Sequence, residues 1–255
     1  MCSFPEIKPI VLGKKTILNT KEEHVAKTQT KSIDLESLIS RVTKLENEIY
    51  DTDKHSMDHS SRRARQYIES TLLKKSPPFC LSSVSWKWVP ENYYSLTLKE
   101  RSRILNAQST NQLCKSMLME NRASNSPKDC FDRTNARFYL VVVQYDATIN
   151  TKKLESEIRG LKSIESGKRL EKSDFEFRMA SEEDNDRVTG YAHNSVTPFG
   201  LMDSSVPIVL SKSILEASPS FIWMGGGHVH LKLGVAISEF VQAMDALVLD
   251  VSDSR

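Results

Sequence analysis

Apolar positions along the chain change their period several times, and each change predicts an element. From Ser32 the residues Leu35, Leu38, Val42, Leu45 and Ile49 alternate spacings of three and four, so they share one face of an amphipathic helix that starts at Ser32-Ile33-Asp34. The stripe spans two heptads and carries two readings. It is either a helix packed on its own domain or one that pairs with a partner or with a second copy of the chain. Residues 1–31 are polar, rich in Lys and Thr and without period, which predicts a mobile tail. Polar residues at 51–61 predict a connection. A basic helical segment follows, with Arg62, Arg63, Arg65, Lys74 and Lys75 around Tyr67, Ile68, Leu72 and Leu73, and Ser76-Pro77-Pro78 ends it.

Beyond position 80 the period falls to two. Trp86 and Trp88 share a face if their segment is extended, and Thr97 with Glu100 forms a capping box that opens a helix. From Gln112 to Met119 the chain alternates, with Leu113, Lys115, Met117 and Met119 on one face and Cys114, Ser116 and Leu118 on the other. Residues 121–135 form a polar loop, and the run from Arg137 to Tyr145 is apolar enough for a central strand. Asn150 caps a helix through Ile158, segment 162–174 is expected to be exposed, and Phe175, Phe177 and Met179 alternate as a short strand. Ser181 caps a short helix that leads into Thr189-Gly190. Phe221 to Met224 predicts a buried strand; His228, His230 and Lys232 then alternate with Val229, Leu231 and Leu233, predicting a half-buried strand with a polar outer face. A last helix is expected over 238–247. Short strands with helices between and after them predict a mixed α/β fold.

Composition narrows the class. An apolar content of 39% and a charged content of 27% fit a soluble globular chain, and the formal charge of +2 confines any nucleic-acid contact to local basic patches such as 62–75. There is no apolar run long enough for a membrane span and no opening signal-peptide pattern. Cys2, Cys80, Cys114 and Cys130 show no CxxC spacing and read as reduced thiols, so a cytoplasmic location is expected.

The candidate chemistry lies in two turn-rich clusters between Val188 and Gly234. Gly190, Asn194, Pro198 and Gly200 punctuate the first, and Gly225-Gly226-Gly227 forms the second, so two main-chain loops are placed to present amides to a carbonyl or a phosphate. Tight turns with solvated histidines explain the same spacing. Lys115 shares a face with apolar residues, which calls either for a stem lying on the core or for a cation on a pocket floor. GxGxxG, GxxxxGK[ST], GxSxG and HExxH are all absent, nothing pairs Cys114 or Cys130 with a base, and His55 with His59 lacks a further ligand. No nucleotide cofactor and no metal is expected.

SVTPFGL at 195–201, VPIVLSKSIL at 206–215 and WMGGGHVHLKLG at 223–234 together resemble the YbaK/prolyl-tRNA synthetase-associated domain family of aminoacyl-tRNA editing domains, over residues 97–248. The resemblance implies a mixed, curved β-sheet flanked by helices, here with an N-terminal helical extension. The expected organisation is a tail at 1–31, an extension and connector at 32–90 and an editing domain at 91–255. The implied activity is hydrolysis of a small non-cognate amino acid from mischarged tRNA, with tRNA(Pro) foremost. Lys115 matches the family's pocket lysine, and the GxxxP loop falls on Asn194, Ser195, Val196, Thr197 and Pro198, with Asn194 where the family has glycine. By resemblance, amides of this loop anchor the aminoacyl carbonyl and water, and Lys115 holds the terminal ribose or phosphate. Gly200, Gly225, Gly226, Gly227, His228 and Lys232 are the further substrate-binding candidates. Mischarged tRNA is the expected partner, with a synthetase or a second copy at the 32–50 helix. The alternative is a non-catalytic tRNA- or synthetase-binding module.

Overall fold

A computed structural model describes Arg41 and residues 59–73, 81–123, 132–161 and 170–254. The chain divides into two units, Met1–Glu46 and Asn47–Arg255, and the second is described here. The apolar stripe at 35–49, the tail at 1–31 and the histidine at position 55 lie outside the described residues.

The central strand is β3 (Phe138–Gln144), every residue of which is buried. β2 (Cys114–Asn121) runs antiparallel on one side of it and β6 (Ile208–Ser211) parallel on the other. β5 (Phe177–Met179) extends the sheet beyond the far end of β2, and β9 (Leu247–Leu249) extends it parallel to β6. The order is therefore β5-β2-β3-β6-β9. A second sheet joins β1 (Ser85–Trp88), β8 (Leu231–Ala236) and β7 (Phe221–Gly225), all antiparallel, and β4 (Ala147–Ile149) pairs with β10 (Ser252–Ser254). Leu113 bridges to Trp223 in parallel and so ties the first sheet to the second.

Five α-helices flank these sheets among the described residues: α1 (His59–Leu73), α2 (Leu98–Leu105), α3 (Thr151–Gly160), α4 (Glu182–Thr189) and α5 (Ile237–Ala243). Local chemistry sets their starts. The Thr97 hydroxyl accepts from Glu100 N while Glu100 reaches back to Thr97 N, Asn150 Oδ1 accepts from the amides of Lys152 and Lys153, and Ser181 Oγ accepts from Asp184 N. The main core draws Ala64 and Ile68 from α1, Leu154 and Ile158 from α3, Val188 from α4 and Phe240 from α5 onto β3, β6 and β8. Thus α1 and β1, both ahead of position 91, pack with the strands that follow it. Buried Glu120 accepts from Arg137 at 3.0 Å and from Arg178 at 3.2 Å, which fastens β5 to β2.

Two expectations are corrected. The alternation from His228 does not mark a strand until Leu231, because Leu231 N donates to His228 O and His230 N donates to His228 Nδ1, closing a turn. The last helix stops at Ala243 rather than 247; Asp245 takes φ 45°, and the apolar residues after it form β9.

Candidate functional site

A cavity of about 620 Å³ opens where β2 parts from β7. Its floor is Cys114, Lys115, Ser116, Met117 and Leu118. Met179, Ala180, Ser181, Glu182 and Asn185 form one wall, and His193, Asn194, Val196, Gly225, Tyr94 and Tyr145 the other. Four of the expected residues meet there: Lys115, Asn194, Val196 and Gly225.

Lys115 is half-buried, and its ammonium donates to Ala147 O at 2.9 Å and Tyr145 O at 3.5 Å at the turn after β3. The 191–200 loop is held from all sides. Asn194 sits at φ 64°, so the left-handed angle that glycine would supply is provided by asparagine. Ser195 N and Oγ both bond Ala192 O, so that amide closes the turn and is spent. Thr197 and Pro198 are buried behind the cavity wall. Of this loop, His193, Asn194 and the half-buried Val196 line the cavity.

Outside the lining stand Gly200, Gly226, Gly227, His228 and Lys232. Gly200 O accepts from Arg63 Nε at 2.8 Å and from the Tyr191 hydroxyl at 3.2 Å. Arg63 also donates to Gly190 O at 2.6 Å and lies 4.4 Å above the Tyr191 ring, so this member of the basic helix braces the loop. Gly227 has φ 89° and packs on the start of α1. Gly225 lets the loop approach, since a Cβ there would stand 2.6 Å from Val196 O. The His228 ring meets Trp88 edge-on at 5.3 Å.

Lys232 is 3% exposed and reaches the site through a tyrosine. Its Nζ donates to the Tyr94 hydroxyl at 2.7 Å and to Val229 O at 2.9 Å, and the Tyr94 hydroxyl donates to Asn194 O at 2.8 Å. The ammonium lies over the rings of Tyr94 (4.6 Å) and Tyr93 (5.2 Å), and the Arg101 guanidinium faces Tyr93, Tyr94 and Tyr145. Burial, with Arg101 nearby, lowers the Lys232 pKa to about 7, and burial raises those of Tyr93, Tyr94 and Tyr145. Burial also pushes the Cys114 thiol up, as expected of an unreactive thiol.

The sequence reading missed Tyr94, Tyr145, His193 and Asn185. Tyr94 and Tyr145 come from a 3₁₀ turn and from the turn after β3, and no local pattern distinguishes them from core tyrosines. Among the described residues, no three His, Cys, Asp or Glu side chains converge as metal ligands, and no helix is long and apolar enough to cross a membrane. Among the described residues, the cavity brings the Lys115 cation, the phenols of Tyr94 and Tyr145 and the hydroxyls of Ser116 and Ser181 together with apolar side chains. It can bind and polarise a carbonyl-bearing ligand.

The model of a family described as the aminoacyl-tRNA editing domain matches residues 97–243. Among solved structures, a proposed trans-editing enzyme for prolyl tRNA synthetase is similar, with a TM-score of 0.56 at 18% identity, over 78% of this chain and 100% of the other. A scaffold protein from a computational epitope-grafting study has the same TM-score at 17% identity and the same coverage. At these identities the likeness is one of fold. No curated protein matches the chain.

Proposed function

Because the chain belongs to the aminoacyl-tRNA editing domain family, we propose that it is a trans-editing deacylase, hydrolysing a small non-cognate amino acid from mischarged tRNA, with tRNA(Pro) as the carrier. The observation that carries this reading is the convergence of Lys115, Asn194, Val196 and Gly225 on one cavity from segments more than 100 residues apart at the extremes.

Ester hydrolysis needs water at the carbonyl carbon, donors for the oxyanion and a good leaving hydroxyl. An ester to a ribose is already labile, so positioning supplies much of the rate without a side-chain nucleophile or a metal. In this reading the Val196 amide serves the oxyanion. The Lys115 ammonium swings from its carbonyl partners towards the terminal ribose or phosphate, and the substrate's own vicinal hydroxyl assists. Met117, Leu118 and Met179 bound the space left for the amino-acid side chain.

The second reading is a binding module, favoured by the engagement of Lys115 with two main-chain carbonyls. Deacylation of Ala-, Ser-, Cys- and Pro-charged tRNA(Pro), with Lys115→Ala beside the native chain, separates the two. Editing predicts selective loss of one non-cognate ester and a fall of about 10²-fold or more in the variant. If no ester is cleaved at high protein concentration, the binding module stands. In that case polar substitutions at Leu38 and Leu45 should abolish partner capture.

A further inference from the structure

One edge of β2 is paired along its length and the other only at its two ends. Asn121 N donates to Arg137 O and Tyr145 N to Leu113 O, so the odd-numbered positions of β2 exchange hydrogen bonds with β3. Cys114, Ser116 and Leu118 therefore turn their N–H and C=O groups to the opposite edge. Leu118 shows it directly, its carbonyl accepting from Ala180 N at 2.9 Å. On that edge β5 takes Met119 to Asn121, and the bridge to β7 falls at Leu113. Between them no strand pairs with β2 among the described residues, and Ser116 opens on the cavity. The gap is about one residue pair wide.

An aminoacyl ester carries an amine and a carbonyl on one α-carbon, in the order of a single backbone residue. In an antiparallel hydrogen-bonded pair, two residues exchange both N–H···O bonds. From this edge we infer that Ser116 recognises the aminoacyl group as a one-residue strand. Its C=O accepts from the α-ammonium and its N–H donates to the ester carbonyl. The inference rests on the reading of the cavity as an aminoacyl-ester site and adds what is selected there: a free α-amine, whatever the side chain. The ammonium bond is charge-assisted, and the amide bond polarises the carbonyl that water attacks.

The test uses the full-length ¹⁵N-labelled chain titrated with 3′-deoxy-3′-(L-alanylamino)adenosine, whose amide resists hydrolysis, and with the propionylamino counterpart, which lacks the amine. The Ser116 amide resonance is expected to shift saturably with the alanyl compound, which should bind about tenfold more tightly than the propionyl one. Ser116→Ala keeps the main chain and should keep that preference. Equal affinities, a silent Ser116 amide while Lys115 or Asn194 resonances move, binding lost in Ser116→Ala, or no binding of either compound would each overturn the inference. Deacylation of charged tRNA by the same preparation separates the two levels. Hydrolysis with a silent Ser116 amide removes this inference and leaves the editing function; a shifted amide without hydrolysis does the reverse.

Discussion

Asn194 has a left-handed backbone at the cavity rim, and its carbonyl is held by the Tyr94 hydroxyl. Its conformation makes substitutions there diagnostic. Asn194→Ala should cost about 1 kcal/mol, because a β-carbon is strained at that φ, whereas Asn194→Gly should stay within about 0.5 kcal/mol; urea denaturation of both variants checks this. Gly225→Ala tests the approach of the loop. Its methyl would meet the Val196 carbonyl, a backbone group that yields only by moving the loop, so a loss of about 1–3 kcal/mol is expected, with deacylation falling alongside. Lys232 carries a pH dependence whose sign is fixed by its burial. Its folded pKa of about 7 lies below the unfolded value of about 10.4, so between them the unfolded chain binds the extra proton and stability rises with pH. The difference in unfolding free energy between the native chain and Lys232→Met should therefore shift towards the native chain from pH 7 to 9.5. A flat difference would mean that Lys232 titrates normally.

Helix α1 acts on the site through Arg63, which bonds both ends of the loop while Arg62, one position before it, is exposed. Arg63→Lys should cost about 1.5–3 kcal/mol, since an ammonium cannot span both carbonyls and stack on Tyr191, and Arg62→Ala should change stability by about 0.5 kcal/mol or less; thermal melts of the two compare them. This bracing was not legible in the sequence, where the basic run reads first as a solvated helix face and second as a surface for tRNA phosphates. The elements that were legible carry their own local signals: the caps at Thr97, Asn150 and Ser181, and the unbroken apolar runs of β3 and β7. Lys115 stood out because a cation on an apolar face demands an explanation. The alternation misled only over 228–230, where the bond from the His230 amide to the His228 ring closes a turn ahead of the strand that begins at Leu231. Tyr94, 100 residues from Asn194 in sequence, is brought to it by the packing of the 3₁₀ turn against Trp223 and Leu113, which no local window contains.

At the scale of the molecule, the main core runs from Ala64 to Val251, all within the unit Asn47–Arg255. If the second unit folds on its own, a chain beginning at Asn47 should keep the melting temperature of the full chain within about 2 °C and still cleave a short acceptor-stem substrate. A large drop would assign the 35–49 stripe to the domain's own stability. The 191–200 loop gives the last consequence. Arg63, Tyr191, Asn185 and Tyr94 tie it to two helices and a 3₁₀ turn, and Gly225 seats it against β7. Its entropy is thus surrendered when the chain folds, not when a ligand arrives. Such a site has no independent melting of its own, so on slow heating the curve of lost activity should superimpose on the curve of lost tertiary structure, without an earlier, reversible inactivation.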